Sequence, residues 1–344
     1  SGQPARLSLS RPIVFIARQT APTLPASSAR QSTTSNADRS GSSTARTIPR
    51  LARYGRARAE ARNPHEARLL PLRDSSYSSG AMTSPQDRST SRPRPSPRAP
   101  DLRGRRALVV GGSGGIGRAV SMELVRAGAS VVIHGGSSRD RLDAAVSEAR
   151  SLASAGQRVE GSLLPVSRPG DLIGRLPELG SIDLVACSFG PFVRASLAAT
   201  TTEEWERVCL LDLALPGALA SSLLPAMSAR GWGRMLFFGG TRTDGIRAYT
   251  SNAAYAAAKT GVSVLVKSLA VEGGPSGVAA VAVCPGLVDT EYLDEGTRRE
   301  LRAKAPRAGL LATGALARAA VALIAADPCL ASGAIVTLDA GLAF

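Results

Sequence analysis

The 344-residue chain carries a formal charge of +15, from 42 Lys and Arg against 27 Asp and Glu, and that charge is unevenly placed. Residues 1–100 hold 17 Arg, no Lys and five acids (Asp38, Glu60, Glu66, Asp74, Asp87), a net of +12, while residues 101–344 hold 25 basic and 22 acidic groups, a net of +3. A basic segment without an aromatic platform or a nucleic-acid motif argues against nucleic-acid binding, and four scattered cysteines with two histidines argue against a disulfide frame or a metal centre.

Residues 1–100 are rich in Ser, Arg, Pro, Ala and Thr and are expected to be disordered, apart from a transient helix near Leu51 to Leu70. An Arg-rich, Ser-rich, acid-poor segment fits an organellar transit peptide. However, the whole chain has 39 Arg against three Lys, a bias that points to GC-rich coding, so a cytoplasmic location is the expectation. Met82 is a candidate start, which makes residues 1–81 an overextended reading frame or a dispensable leader. The longest early apolar run, Ile13 to Ala17, is far too short to span a membrane, and no membrane partner is expected.

From Asp101 onward strands and helices alternate. Arg106 to Val110 predicts a strand, Gly115 to Ala127 a helix stopped at Gly128, and Ser130 to His134 a second strand. A helix over Arg139 to Ala155 leads to a third strand, Arg158 to Leu164, and then a fourth, Asp183 to Cys187. Thr201-x-x-Glu204 is a capping box opening a long helix, with a kink expected at Pro216. Met235 to Phe238 predicts a fifth strand, Asn252 to Val271 a helix, Val278 to Cys284 a sixth strand, and Ala334 to Leu338 a last strand preceded by helix. Short, unbroken apolar strands between helices describe a parallel sheet covered on both faces. The expected architecture is one doubly wound α/β domain over residues 101–344, with a mainly parallel sheet of about seven strands.

Three motifs carry chemistry. Gly111-Gly112-Ser113-Gly114-Gly115-Ile116-Gly117 lies where the first strand turns into the first helix, so glycines there let a pyrophosphate approach backbone N–H groups at a helix N-terminus. Tyr255-Ala-Ala-Ala-Lys259 puts a phenol and an ammonium on one helix face. A cation beside a phenol favours the phenolate and lowers its pKa, giving a proton donor and acceptor useful near neutral pH. Taken alone, the spacing equally suits a surface Tyr and Lys. The third motif, Pro285-Gly286-Leu287-Val288-Asp289-Thr290, comes after the sixth strand.

In this order and spacing the motifs resemble the short-chain dehydrogenase/reductase family, over essentially Asp101 to Phe344, and within it the 3-oxoacyl-acyl-carrier-protein reductases and related carbonyl reductases. The resemblance implies a Rossmann-type fold and a nicotinamide dinucleotide held by Gly111, Ser113, Gly115, Ile116 and Gly117. It makes Tyr255 the proton donor and acceptor at the substrate oxygen and Lys259 the group that holds the ribose hydroxyls. Pro285 and Gly286 pass beneath the nicotinamide, and the backbone of Val288 with the Thr290 hydroxyl orients its carboxamide. The end of the second strand, His134-Gly135-Gly136-Ser137-Ser138-Arg139, carries no acid before Asp140. Ser137, Ser138 and Arg139 therefore favour NADP(H), with NAD(H) as the alternative; the two serines could instead cap the next helix.

The chain also departs from the family. Cys187-Ser188-Phe189-Gly190 stands in place of Asn-Asn-Ala-Gly, leaving Ser188 and Gly190 as cofactor contacts. Asp212 aligns with the catalytic Asn and Gly240 with the catalytic Ser, so either Thr241 or Thr243 would have to supply the missing hydroxyl. Asn252 stands where an enoyl reductase needs Tyr, which excludes that activity. The expected function is hydride transfer between NADP(H) and a small-molecule carbonyl or alcohol; the alternative is a catalytically weak dinucleotide-binding sensor or scaffold. A lid over Glu291 to Gly309, with Glu295, Arg298, Arg299 and Lys304, suits a polar or acidic substrate. By resemblance the protein forms a homo-oligomer, a dimer or tetramer, through its two long helices.

Overall fold

The computed structural model describes residues 100–175, 179–305 and 309–342, so the expectations for the N-terminal segment before Pro100 lie outside the described residues. Seven parallel strands form one sheet in the order β3-β2-β1-β4-β5-β6-β9: β1 Arg106–Val110, β2 Ser130–Gly135, β3 Val159–Leu163, β4 Leu184–Cys187, β5 Gly233–Phe238, β6 Val278–Pro285 and β9 Ile335–Leu338. Strand side chains alternate between faces. Ala107 and Val109 therefore pack with α1 (Gly115–Arg126), α2 (Arg139–Leu152) and α8 (Thr313–Ala325). Leu108 and Val110 pack with α3 (Pro169–Ile173), α5 (Leu215–Ala229) and α6 (Ala253–Gly273). The chain leaves β1 toward β2 and β3, then crosses back to β4. That reversal opens a crevice at the carboxyl ends of β1 and β4, where doubly wound sheets bind ligands.

The capping box at Thr201 is present: Glu204 N donates to Thr201 Oγ1 at 3.2 Å, and Thr201 N donates to Glu204 Oε2 at 3.0 Å. It opens α4 (Thr202–Val208). In place of the expected kink at Pro216, a π-helical segment, Cys209–Ala214, joins α4 to α5, and Leu215 N donates to the Leu210 carbonyl five residues back. Proline has no N–H for the Asp212 carbonyl four residues earlier, and the widened turn absorbs the mismatch. Also unforeseen are a small pair of strands, β7 (Val288–Asp289) beside β8 (Leu311–Ala312), and α7 (Glu295–Lys304) inside the expected lid.

At the opposite end of the sheet, Arg234 is buried with its guanidinium 4.3 Å over the Trp232 ring. It donates to the carbonyls of Gly233, Gly277 and Ala326 and to Asp327 Oδ1, at 2.9 to 3.2 Å, pinning β5, β6 and the segment after α8 together. Replacing it with an apolar side chain removes all four of these hydrogen bonds. Arg234→Met is expected to lose about 3 kcal/mol of stability. Chemical denaturation measures it, and a loss under about 1 kcal/mol would show that water replaces the guanidinium.

Candidate active site

The glycine turn is built by close approach. A Cβ on Gly117 would stand 2.1 Å from the Gly111 carbonyl oxygen and 2.4 Å from Ser188 Oγ, so only glycine lets α1 sit this near the end of β1. Gly111 and Gly115 take φ of 81° and 53°, the left-handed region that glycine occupies freely. Phe189 lies against Gly111, with its ring edge to His134 at 5.7 Å. His134 is fully buried at the end of β2 and fixes the turn from below. Its Nε2–H donates to the Leu164 carbonyl at 2.8 Å and its Nδ1 accepts from Gly111 N at 3.3 Å. Burial pushes the imidazole pKa down and holds the ring neutral, against the Leu164 carbonyl, which pulls the other way.

The N-terminus of α1 has no cap from its own neighbourhood. Instead Glu291, on the segment after β7, accepts from Gly115 N at 2.7 Å, and the Tyr292 hydroxyl packs over Gly114 where a Cβ would collide with it. Arg141 of α2 faces the Tyr292 ring from 5.7 Å. A helix N-terminus carries partial positive charge and unpaired N–H groups. A carboxylate therefore occupies the place suited to a phosphate.

On the other side of the crevice, Asp212 and Lys259 form a buried ion pair, with Nζ 2.9 Å from Oδ1. The contact is close but off-line, since neither carboxylate oxygen has a well-aligned donor among the described residues. Asp212 packs directly on the Gly190 backbone, where a Cβ would be 2.0 Å from Oδ1. Burial pushes the Asp212 carboxyl up to about 6, with Lys259 pulling it down. For Lys259 burial pushes down, but Asp212, Tyr255 and Cys187 together outweigh it and the net direction is up. Tyr255 sits against Gly240, where a Cβ would stand 2.7 Å from Cε1 and 3.2 Å from the hydroxyl, and meets Phe192 edge-on at 4.9 Å. Lys259 Nζ is 5.8 Å from the Tyr255 ring centre. Burial pushes the phenol up to about 12, Lys259 pulls it down, and Asp212 and Cys284 push it further up. The lowered phenol that the Tyr–Lys spacing suggests is therefore not what this environment produces.

The two candidate hydroxyls differ. Thr243 is fully buried and spent on its own turn: its Oγ1 accepts from Gly240 N at 2.8 Å and donates to the Gly240 carbonyl at 3.0 Å. Thr241 is partly exposed and donates to the Gly286 carbonyl at 3.1 Å. Gly286 in turn donates its N–H to the Leu338 carbonyl, so β9 and Thr241 together hold the Pro285–Gly286 turn at the end of β6. Val288 pairs with Leu311, and the Thr290 methyl faces Gly115. Ser113 lies beside Gly135, and Ile116 backs onto the core. Ser138 accepts from Arg141 N at 3.3 Å and caps α2, Arg139 lies 3.8 Å from Asp143, and Ser137 is exposed. Most of the named lid charges are paired, Arg298 with Asp289 and Glu295, and Glu300 with Lys304 and Arg194, while Arg299 is exposed. The paired charges therefore give no sign of an acidic substrate. His134, Glu291 and Phe192 were not singled out from the sequence. The only advance sign for any of them was a histidine closing an apolar strand.

Such a crevice on a doubly wound sheet, with a glycine turn at its mouth, marks a ligand-binding site of the dinucleotide-binding kind. Residues 105–301 match the short chain dehydrogenase family. Cis-4-hydroxycyclohexanecarboxylate dehydrogenase of Sinomonas cyclohexanicum is 32% identical over 244 residues, 68% of this chain and 95% of that protein. D-beta-hydroxybutyrate dehydrogenase of Rhizobium meliloti is 26% identical over 197 residues, 55% of this chain and 73% of that protein. Among solved structures, a 3-oxoacyl (acyl-carrier-protein) reductase from Agrobacterium tumefaciens with NADP bound superposes with a TM-score of 0.63 at 28% identity, covering 70% of this chain and 95% of that one. The chain belongs to the short chain dehydrogenase family and is an NAD(P)-binding oxidoreductase acting on CH–OH or C=O groups.

The residues present fit that cofactor. Ser188 Oγ is buried with no hydrogen-bond partner among the described residues, beside the glycine cradle, and the α1 N-terminus already holds an anionic group. Glu291→Gln removes the competing charge and is expected to tighten dinucleotide binding about two- to fivefold in a fluorescence titration. Unchanged or weaker binding would show that the carboxylate does not compete. His134→Ala frees Gly111 and should weaken binding about tenfold. Because the neutral imidazole titrates below the ordinary 6.5, its stabilising contribution is complete above that pH and is lost as pH falls through and below it. Thermal melts between pH 7.5 and 5 should show a smaller acid loss in His134→Ala.

Proposed function

We propose that the protein is an NADP(H)-dependent carbonyl reductase or alcohol dehydrogenase in which Tyr255 is the general acid and base. The observation that carries this reading is the seat of the Tyr255 hydroxyl, beside Gly240 and Phe192 at the carboxyl end of the sheet, with Lys259 one turn along the same helix face. The bound dinucleotide supplies the hydride in reduction and accepts it in oxidation. Tyr255 gives its proton to the substrate oxygen in reduction and takes it back in oxidation. Lys259 holds the ribose hydroxyls. Gly286, fixed by Leu338 and Thr241, forms the floor of the site. Gly240 supplies no hydroxyl and Thr243 is committed to its turn, so Thr241 is the remaining donor. To serve a substrate oxygen it must leave the Gly286 carbonyl.

The preference for NADP(H) over NAD(H) rests on the exposed Ser137 and Arg139 and on the absence of an acid before Asp140. Arg141, close to Tyr292 and the α1 N-terminus, adds a cation on the same side. Around the phenol the surface is apolar, through the partly exposed Phe192, which suits a substrate with an apolar body next to its carbonyl. On the outer faces of the two long helices Leu210, Val264 and Val271 are exposed. Apolar side chains in that position support a homo-oligomer, dimer or tetramer, built on those helices. The four free cysteines suit a reducing cytoplasm.

Tyr255→Phe is expected to lower turnover about 100- to 10,000-fold while leaving NADPH affinity within error, and NADPH should bind more tightly than NADH. Turnover of a panel of apolar ketones and titration of both dinucleotides test this. Turnover that survives the substitution sinks the proton-transfer role.

A further inference from the structure

Lys259 does not face Tyr255 alone. Its ammonium lies 2.9 Å from a carboxylate that is as buried as itself, whereas the phenol ring centre is 5.8 Å away. The pair is walled off from water on every side, with Asp212 0% and Lys259 6% exposed. Screening there is weak, and the field of each charge reaches its neighbours. Viewed from the phenol, the cation and the anion oppose each other.

We infer that Asp212 is a positioning residue which holds the Lys259 ammonium and cancels most of its field at the Tyr255 hydroxyl, so that Tyr255 stays protonated through mildly alkaline pH and the site favours carbonyl reduction. The inference rests on the proposed role of Tyr255 and adds the group that sets its proton affinity. Three features of the fold serve it. The π-helical segment directs Asp212 inward, where Leu211 and Asp212 are buried while Leu210 and Ala214 are exposed. Gly190 leaves the space the carboxylate fills. Gly240, bare beside the Tyr255 hydroxyl, brings no hydroxyl of its own to share the phenol's proton.

The remaining ionisable groups do not replace this balance. Cys284 on β6 and Cys187 on β4 face the pair, and burial holds both thiols above their ordinary range and so uncharged. Arg207 on α4 acts on Asp212 from a greater distance, as a weaker influence than Lys259. Burial is the largest push on the phenol, up to about 12, and Asp212 adds to it against the pull of Lys259.

Asp212→Asn keeps the shape and removes the charge. An opposite charge within hydrogen-bonding range of a titrating group moves it by about 1–3 pH units. With its counter-charge gone, Lys259 should pull the apparent Tyr255 midpoint down by at least about one unit. Phenolate absorbance, taken as the difference between each protein and its Tyr255→Phe counterpart, reads the midpoint without turnover. The pH profile of kcat/KM for reduction gives a second readout, in which the alkaline limb should move to lower pH by the same amount. No shift, or an upward shift, overturns the inference. If Asp212→Asn does not fold, the wild-type difference titration decides: no phenolate from Tyr255 below pH 10 supports cancellation, and a midpoint below 9 overturns it. Loss of turnover in Tyr255→Phe together with an unmoved Asp212→Asn midpoint removes this inference and leaves the proton-transfer role standing. Surviving turnover in Tyr255→Phe removes that role, and the titration then judges Asp212 by itself.

Discussion

The approach of α1 to the end of β1 depends on a missing side chain. At Gly117 a Cβ would lie 2.1 Å from the Gly111 carbonyl oxygen, and every other contact of the crevice is arranged around that closeness. Because α1 is near, its N-terminal N–H groups open onto the strand ends instead of onto solvent, and an anion can bind there without carrying its full water shell. The same device recurs across the crevice. Gly190 admits the Asp212 carboxylate and Gly240 admits the Tyr255 ring. Each glycine moves a functional group closer to the centre by about the width of a methyl.

Closeness turns the site into an electrostatic problem. Burial makes every charge expensive unless it is matched, and it also makes each match strongly felt. Lys259 is matched by Asp212, Glu291 by the helix terminus, and the lid's Arg298 by its acidic neighbours. These charges are spent within the protein, and Phe192 gives the phenol an apolar neighbour. The α1 N-terminus, suited to an anion, is already taken by the Glu291 carboxylate bound to Gly115.

The sheet was legible because most of its strands are short apolar runs between helical stretches, and the seven segments read from the sequence are the seven strands of the sheet, the polar edge strand β3 included. The glycine turn, the Tyr–Lys pair and the Pro-Gly segment were legible because their chemistry needs fixed short spacings. Contacts made at long range were not. Nothing local says that Glu291 caps a helix 176 residues upstream, or that Asp212 turns inward, since a helix interrupted by a π turn changes which residue faces where. Spacing places a cation near a phenol but says nothing of how deeply the phenol is buried, nor of the anion behind the cation, so the direction of the Tyr255 shift came out opposite to the expectation. Ser138 was ambiguous between phosphate contact and helix cap, and in the structure its oxygen accepts from the Arg141 N–H.

The π-helical segment Cys209–Ala214 has a consequence for how this chain can change over time. A turn of that kind holds one residue more than an α-helical turn. Loss of a single codon within it would allow a regular helix with both flanks still in phase, and only the residues left inside the turn would be redistributed around it. The carboxylate now facing Lys259 would then point elsewhere, with every side chain of the crevice unaltered. Substitutions can tune this site gradually, whereas a change of length here removes the partner of its lysine in one step.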